Sequence, residues 1–314
     1  MADMKKMKIC IVGTGAMGSV YAGLLGLAGN DVWAFDLWAE HIDAIRKKGL
    51  RVEGKSGDHT IRINATTNIK DVGTCDLVVI ATKSMDVAPA AESTRELLGR
   101  NTVVLTIQNG LGSSDRVAGI LGREKVTAGI AGGFGASIIS PGHVHHNGME
   151  FIHLGELEGP STARLEEIAA VWRNAGFQVK TFDDFQKVIW EKLICNVCYS
   201  GTCTLTEMKI DEVMQDENAW QIASGCASEA YEVAKAKGIQ IDFDDPVEYV
   251  RKFGSKIPHA RPSMLLDHLA GRPCEIDVIN GAIPAEGKKV GVAAPFNTVV
   301  SALVRAREVH RGLR

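Results

Sequence analysis

Lys192, Asn196 and Ser200 recur at i, i+4 and i+8, so on a helix they fall on one stripe. An ammonium, an amide and a hydroxyl in that row suit either a solvated face or a polar cleft. The apolar neighbours Leu193, Ile194 and Val197 indicate a helix that is largely buried, which favours the cleft. An ammonium placed there can stabilise or protonate an oxygen on which negative charge develops. A second set of residues, Gly13-Thr14-Gly15-Ala16-Met17-Gly18, spells G-x-G-x-x-G between an apolar run, Lys8 to Val12, and the start of a helix. In that setting Gly13 permits a tight turn, Gly15 lets a pyrophosphate approach the backbone, and Gly18 allows close helix–strand packing. The helix N-terminus adds free N–H groups for the phosphates. Asp36 ends the next apolar run, where an acid accepts hydrogen bonds from ribose hydroxyls and repels a 2′-phosphate, favouring NAD over NADP. The alternative role is to cap the helix that begins near Trp38, with cofactor contact the favoured one.

Two other clusters invite metal or redox chemistry. Cys195 and Cys198 form C-x-x-C, but they lie within an apolar helix and no second such pair exists, so packing is the better reading. His143, His145 and His146 precede Asn147-Gly148. The alternation on either side, through Met149-Glu150-Phe151-Ile152, predicts paired strands around a turn rather than a metal site.

The elements that must position these groups follow a regular order. Strands are expected at Lys8–Val12, Asp31–Phe35, Asp76–Ala81 and Thr102–Thr106, and helices at Ala16–Ala28, His41–Lys48 and about Val87–Leu98. A hairpin insertion should occupy Leu50 to Ile63. Such alternation specifies a parallel sheet with helices on both faces, and with the glycine fingerprint it predicts a Rossmann-type domain over residues 1–182. An amphipathic helix over Ser161–Ala175 and a strand over Phe177–Thr181 complete it. From Asp183 helical periodicity dominates, so residues 183–314 are expected to form an all-helical substrate domain, packed firmly against the first with a cleft between them.

The chain of 314 residues suits two domains of ordinary size, each able to bury a core without disulfide or metal staples. A net charge of −3 and a pI near 6.3 give no reason to expect nucleic acid or a membrane surface as partner. No apolar run reaches the roughly 20 residues of a membrane span. The seven scattered cysteines do not resemble a secreted disulfide framework, and the N-terminus leads straight into a strand. The chain reads as cytoplasmic.

Ala81-Thr82-Lys83-Ser84 and Gln108-Asn109-Gly110-Leu111-Gly112 follow strand ends, where open sheets bind ligands. Taken with Lys192-Leu193 and Asn196, and with Glu275-Ile276-Asp277-Val278-Ile279-Asn280-Gly281, they resemble the ketopantoate reductase family from Lys8 to about Pro295. That resemblance implies transfer of hydride from NAD(P)H to the ketone of ketopantoate, giving pantoate for pantothenate biosynthesis. It implies that Lys192 donates the proton, that Asn196 binds substrate, and that Glu275 lies beside substrate and cofactor. It further implies that Ser263 binds the substrate carboxylate, that Lys83 and Asn109 contact the cofactor, with Asn109 also near substrate, and that Ala136 offers the nicotinamide half a backbone contact. Hydride addition builds charge on the ketone oxygen, which is what the Lys192 ammonium can meet. One position departs from the pattern: reductases of the family commonly carry a second asparagine where this chain has Ser200. Relatives oxidise other D-2-hydroxy acids with NAD, D-mandelate among them, and Ser200 and Asp36 both lean that way. A non-catalytic NAD(P)-binding regulator is a third reading, against which Lys192, Asn196 and Glu275 argue. A homodimer is expected on general grounds.

Overall fold

In the run from Lys8 to Val12 the four residues from Ile9 onward bury side chains on both faces, as a strand inside a parallel sheet must. In the computed structural model, which describes residues 6–133, 135–148 and 151–314, the run forms β1 (Lys8–Val12). There follow α1 (Ala16–Leu27), β2 (Asp31–Phe35), α2 (Ala39–Lys48), β3 (Leu50–Gly54), β4 (His59–Ile61) and β5 (Asn64–Thr66). Next come β6 (Cys75–Ile80), α3 (Val87–Thr94), β7 (Leu98–Thr106), α4 (Ser113–Leu121), β8 (Val126–Gly132), β9 (Gly135–Ser140), β10 (His143–Gly148) and β11 (Phe151–Glu156). The series closes with α5 (Ala163–Asn174) and β12 (Val179–Phe182). The main sheet runs β12-β11-β8-β7-β6-β1-β2-β5. Its six strands from β8 to β5 are parallel in the doubly wound order, with the switch point between β1 and β6. Strand β11 is antiparallel to β8 and parallel to β12.

A smaller sheet runs β4-β3-β10-β9. The expected hairpin insertion is its β3–β4 pair. The expected pairing of the two strands flanking Asn147-Gly148 does not form. Strand β10 pairs with β3 and β9, whereas β11 joins β8 and β12 in the main sheet, so the chain changes sheets at that point. Met149 and Glu150, part of that reading, lie outside the described residues. The histidines serve the small sheet: His143 Nε2 lies 2.9 Å and His145 Nδ1 3.5 Å from Glu53 on β3, and His146 Nδ1 lies 3.0 Å from Ser56 Oγ. Beneath the main sheet Tyr21, Trp172 and Phe177 meet ring to ring at 4.9–6.0 Å.

The regular elements of the second unit are all helices among its described residues: α6 (Phe185–Thr206), α7 (Ile210–Gln215), α8 (Glu217–Ala236), α9 (Pro246–Lys256), α10 (Ser263–Leu269), α11 (Ala282–Val290) and α12 (Pro295–His310). The compact units are Met1–Gln108 with Ser113–Phe185, and Asn109–Gly112 with Gln186–Arg314. The division near residue 182 thus moves a few residues on, and the loop after β7 belongs to the second unit. Leu111 N–H donates to Val278 O at 2.8 Å, and Gly110, at φ +81°, packs so closely that a Cβ would lie 2.3 Å from the same oxygen. Cys195 and Cys198 are free and buried in α6, and burial pushes the Cys195 thiol up to about 12 and raises that of Cys198 well above its ordinary value. Among the described residues no helix is long and apolar enough to cross a membrane.

A buried carboxylate ties the C-terminus to this unit. Glu308 is fully buried and accepts from Cys274 N–H at 2.7 Å, from the Arg314 guanidinium, and lies 3.1 Å from His268 Nε2. His268, Cys274 and Glu308 bring ligand-type atoms within 4.8 Å of one another, but Arg314 already supplies the cation there. Burial raises the Glu308 pKa, and the hydrogen bonds from Cys274 and Arg314 outweigh it, holding the carboxyl below its ordinary value. A depressed carboxyl contributes stability above its unfolded pKa and loses it as pH falls through the folded one. Glu308→Ala should therefore cost about 3 kcal/mol at neutral pH, read as a lower urea midpoint. The gap to the parent protein should narrow in acid. A midpoint unchanged at pH 7 would contradict this role.

Candidate active site

The first set of predicted residues gathers at the C-terminal end of β1. Gly13 takes φ +91° and donates its N–H to Phe35 O at 2.9 Å; a Cβ there would lie 2.6 Å from Thr82. A Cβ on Gly18 would lie 2.0 Å from Gly13 O, so turn and helix can meet only through glycine. At Gly15 an added Cβ has nothing within 4 Å among the described residues. Gly15 caps α1 without a side-chain hydrogen bond, and no acid occupies the first turn. Thr14 is buried, its hydroxyl 3.1 Å from Phe35 O, while Ala16 and Met17 open the helix and Met17 packs against the core. Thr82 Oγ1, beside the turn, is buried with no hydrogen-bond partner among the described residues. An uncapped helix start, open room at Gly15 and an orphaned hydroxyl fit the phosphates of a dinucleotide.

Asp36 stands just past β2 with Oδ1 accepting from Trp38 N–H at 2.9 Å, but Trp38 itself is the N-cap of α2 and no side chain caps that helix, so the expected capping role does not form. Arg46, the nearest downstream arginine, is occupied by Ala65 O at 2.7 Å and Asp43 at 3.5 Å. Lys83 is exposed past the end of β6, and Ala136 lies on β9 opposite His146.

The second set gathers in the helical unit. Lys192 Nζ donates to Asn109 Oδ1 at 2.8 Å. Burial holds the ammonium down, to about 8, while the Glu275 and Cys195 charges act in the opposite direction. Glu275 is itself buried, at 5% exposure, in a turn rather than on a surface helix. One and two turns along α6, Asn196 and Ser200 line a pocket of about 150 Å³ together with Asn109, Arg261 and Ser263. The remaining wall is largely Tyr199, Ile210, Phe253 and Ile257. Lys192 and Glu275 do not line that pocket; Lys192 is joined to it through Asn109. The helix stripe therefore becomes a graded surface, with the ammonium at one end and a half-apolar chamber at the other.

Three contributors lay beyond the sequence reading. Asn280, within the recognised E-I-D-x-I-N-G run, is fully buried and donates to Val197 O at 2.8 Å, holding α6 next to Asn196. Val278 pins the loop that carries Asn109. Arg261 lines the pocket from an irregular loop where no periodicity marks it; its proximity to Ser263 was the one available signal.

Residues 9–159 match the sequence model described as "Ketopantoate reductase PanE/ApbA" and residues 184–308 that of its C-terminal part. The 2-dehydropantoate 2-reductase of Pyrococcus horikoshii is 32% identical over 302 residues, 96% of this chain and 98% of that one. Among solved structures, the 2-dehydropantoate 2-reductase from Geobacter metallireducens superposes with TM-score 0.89 at 32% identity, covering 96% and 99% of the two chains. D-mandelate dehydrogenase in its ternary structure with NADH and anilino(oxo)acetate gives TM-score 0.90 at 28% identity, covering 98% and 100%.

Proposed function

Because the chain belongs to the ketopantoate reductase family and is an NAD(P)-dependent oxidoreductase, we propose that it reduces the ketone of ketopantoate to give pantoate. The observation that carries this reading is the Lys192–Asn109 pair beside Glu275, adjoining a pocket sized for a small organic acid. NAD(P)H, when bound, supplies the hydride. Lys192 Nζ then gives a proton to the ketone oxygen as charge develops there. Asn109 Oδ1 fixes the direction of the ammonium, and Glu275 favours its charged form against the burial that depresses it. Asn196, Ser200 and Ser263 orient the substrate through amide and hydroxyl groups. The glycine turn, Asp36, Lys83 and Ala136 serve the cofactor.

A second reading, an NAD-dependent dehydrogenase of D-2-hydroxy acids, is favoured by Ser200 and by the wall of Tyr199, Ile210, Phe253 and Ile257, which suits an apolar or aromatic substituent. Rates with NADH and NADPH, each against ketopantoate and a series of branched and aromatic 2-keto acids, decide between them. Ketopantoate as the best substrate supports the reductase; preference for an aryl keto acid supports the dehydrogenase; no turnover of any keto acid overturns both.

Cofactor choice should follow Asp36. With Arg46 occupied, no arginine close after β2 is available for a 2′-phosphate, so NADH is the expected partner. Asp36→Ala should lower kcat/KM for NADH about tenfold and narrow the NADH-to-NADPH ratio. A parent enzyme that uses NADPH tenfold better than NADH contradicts the assignment.

A further inference from the structure

The chamber has one charged lining residue, and it is spoken for by nothing else. Arg261 is exposed on its outer side and makes no hydrogen bond or ion pair among the described residues, in a unit where the other arginines that line its helices are largely paired. The rest of the lining offers amides, hydroxyls, a thiol and apolar groups, with no acid to neutralise the guanidinium. The loop that holds it is fixed. Ile210 N–H donates to Ala260 O at 3.2 Å and Asp211 N–H to Pro258 O at 2.9 Å, so two main-chain bonds tie the loop to the start of α7. His259 Nδ1 adds a contact at 3.0 Å to Asp211 Oδ2. Pro258 and Pro262 bracket the segment and restrict its backbone. Ser263, two residues on, lines the same pocket from the first position of α10.

We propose that Arg261 anchors the substrate carboxylate, its planar guanidinium acting with the Ser263 hydroxyl, so that the enzyme selects 2-keto acids over neutral ketones. This rests on the keto-acid reading above. A 2-keto acid brings one permanent negative charge into a chamber whose other polar groups are neutral, and an unpaired guanidinium matches a carboxylate in both charge and shape. Lys192 is reserved for the ketone oxygen, which leaves Arg261 as the lining cation. Because the guanidinium is open to solvent on one side, its contribution lies in substrate binding and screening by salt rather than in the fold.

The test compares the parent enzyme with Arg261→Ala and Arg261→Lys, using one 2-keto acid and its primary amide at saturating cofactor. Arg261→Ala should raise KM for the acid about 10- to 100-fold while kcat stays within about threefold. The amide should be little affected, so the acid-to-amide ratio of kcat/KM collapses. Arg261→Lys should fall between. The parent kcat/KM should decline with ionic strength and that of Arg261→Ala should not. An unchanged acid-to-amide ratio overturns the proposal, as does a loss confined to dicarboxylic substrates or a raised KM for cofactor alone. If the parent turns over no keto acid, the functional reading fails separately. Calorimetry with oxamate, a non-reducible analogue, then decides the question for Arg261. Binding weakened at least tenfold in Arg261→Ala supports the anchor; equal or absent binding in the parent and the variant overturns it.

Discussion

Lys192→Ala should cut kcat for ketone reduction by about 10²- to 10⁴-fold, the range that positioned acid–base groups contribute. The affinity for NADH should change little, because the glycine turn and Asp36 belong to the other unit. The pH profile gives the sharper reading. Burial holds the Lys192 ammonium down, at about 8, with Glu275 opposing it. In the proposed mechanism the protonated form is the donor, so the reduction rate should fall as pH rises through about 8. In the oxidative direction the neutral amine must accept the proton, and the rate should rise through the same value. Both limbs should vanish in Lys192→Ala. Lys192→Met separates chemistry from folding: it removes an ammonium that burial disfavours, so its melting temperature should match or exceed that of the parent. A variant that keeps turnover within threefold of the parent, or that loses activity only because it unfolds, removes Lys192 from the mechanism.

Gly15 and Gly18 should respond in opposite ways to the same added methyl group. Gly15→Ala places its Cβ in open space at φ −70°, an ordinary conformation, so stability should move by less than about 0.5 kcal/mol. The methyl group would occupy the room left for a pyrophosphate, and the Kd for NADH should rise about 10- to 100-fold. Gly18→Ala puts a Cβ 2.0 Å from Gly13 O, where turn or helix must shift, and should cost about 3 kcal/mol of stability as well as cofactor binding. Fluorescence titration with NADH and urea unfolding on the two variants make the comparison. Tight binding by Gly15→Ala would mean that the turn holds no phosphate.

How far the sequence reveals this architecture depends on the range of the interaction. The apolar runs of β1, β2, β6 and β7 need burial on both faces, which is a property of each run alone, and they are strands as expected. The glycine fingerprint is legible for the same reason: its constraint is the close approach of residues five apart, Gly13 and Gly18. Where partners are distant, local pattern misleads. The alternation and turn chemistry around Asn147-Gly148 are real, yet β10 finds β3, some 90 residues earlier in the chain. Helix α3 was expected to run to Leu98, but Leu97 and Leu98 satisfy a buried turn and a strand start equally well, and the strand takes Leu98. In the candidate site, Lys192, Asn196 and Ser200 share a stripe that spacing alone predicts. The bond from Lys192 to Asn109 depends on a loop 83 residues away, and Arg261 sits in a loop without periodicity.

The loop from Asn109 to Gly112 also bears on how this protein can be divided. The chain leaves the first unit for four residues, returns, and leaves again for good near residue 186. The helical unit is therefore not a contiguous stretch of sequence. A fragment beginning at Gln186 would lack the amide that holds Lys192 and the backbone that meets Val278. Exchange of helical units between homologues has to carry residues 109–112 along with 186–314. A hybrid joined at a single crossover near residue 186 inherits its ammonium from one parent and the partner of that ammonium from the other. For recombination, natural or engineered, the units of inheritance are thus set by this loop rather than by the visible change from strands to helices.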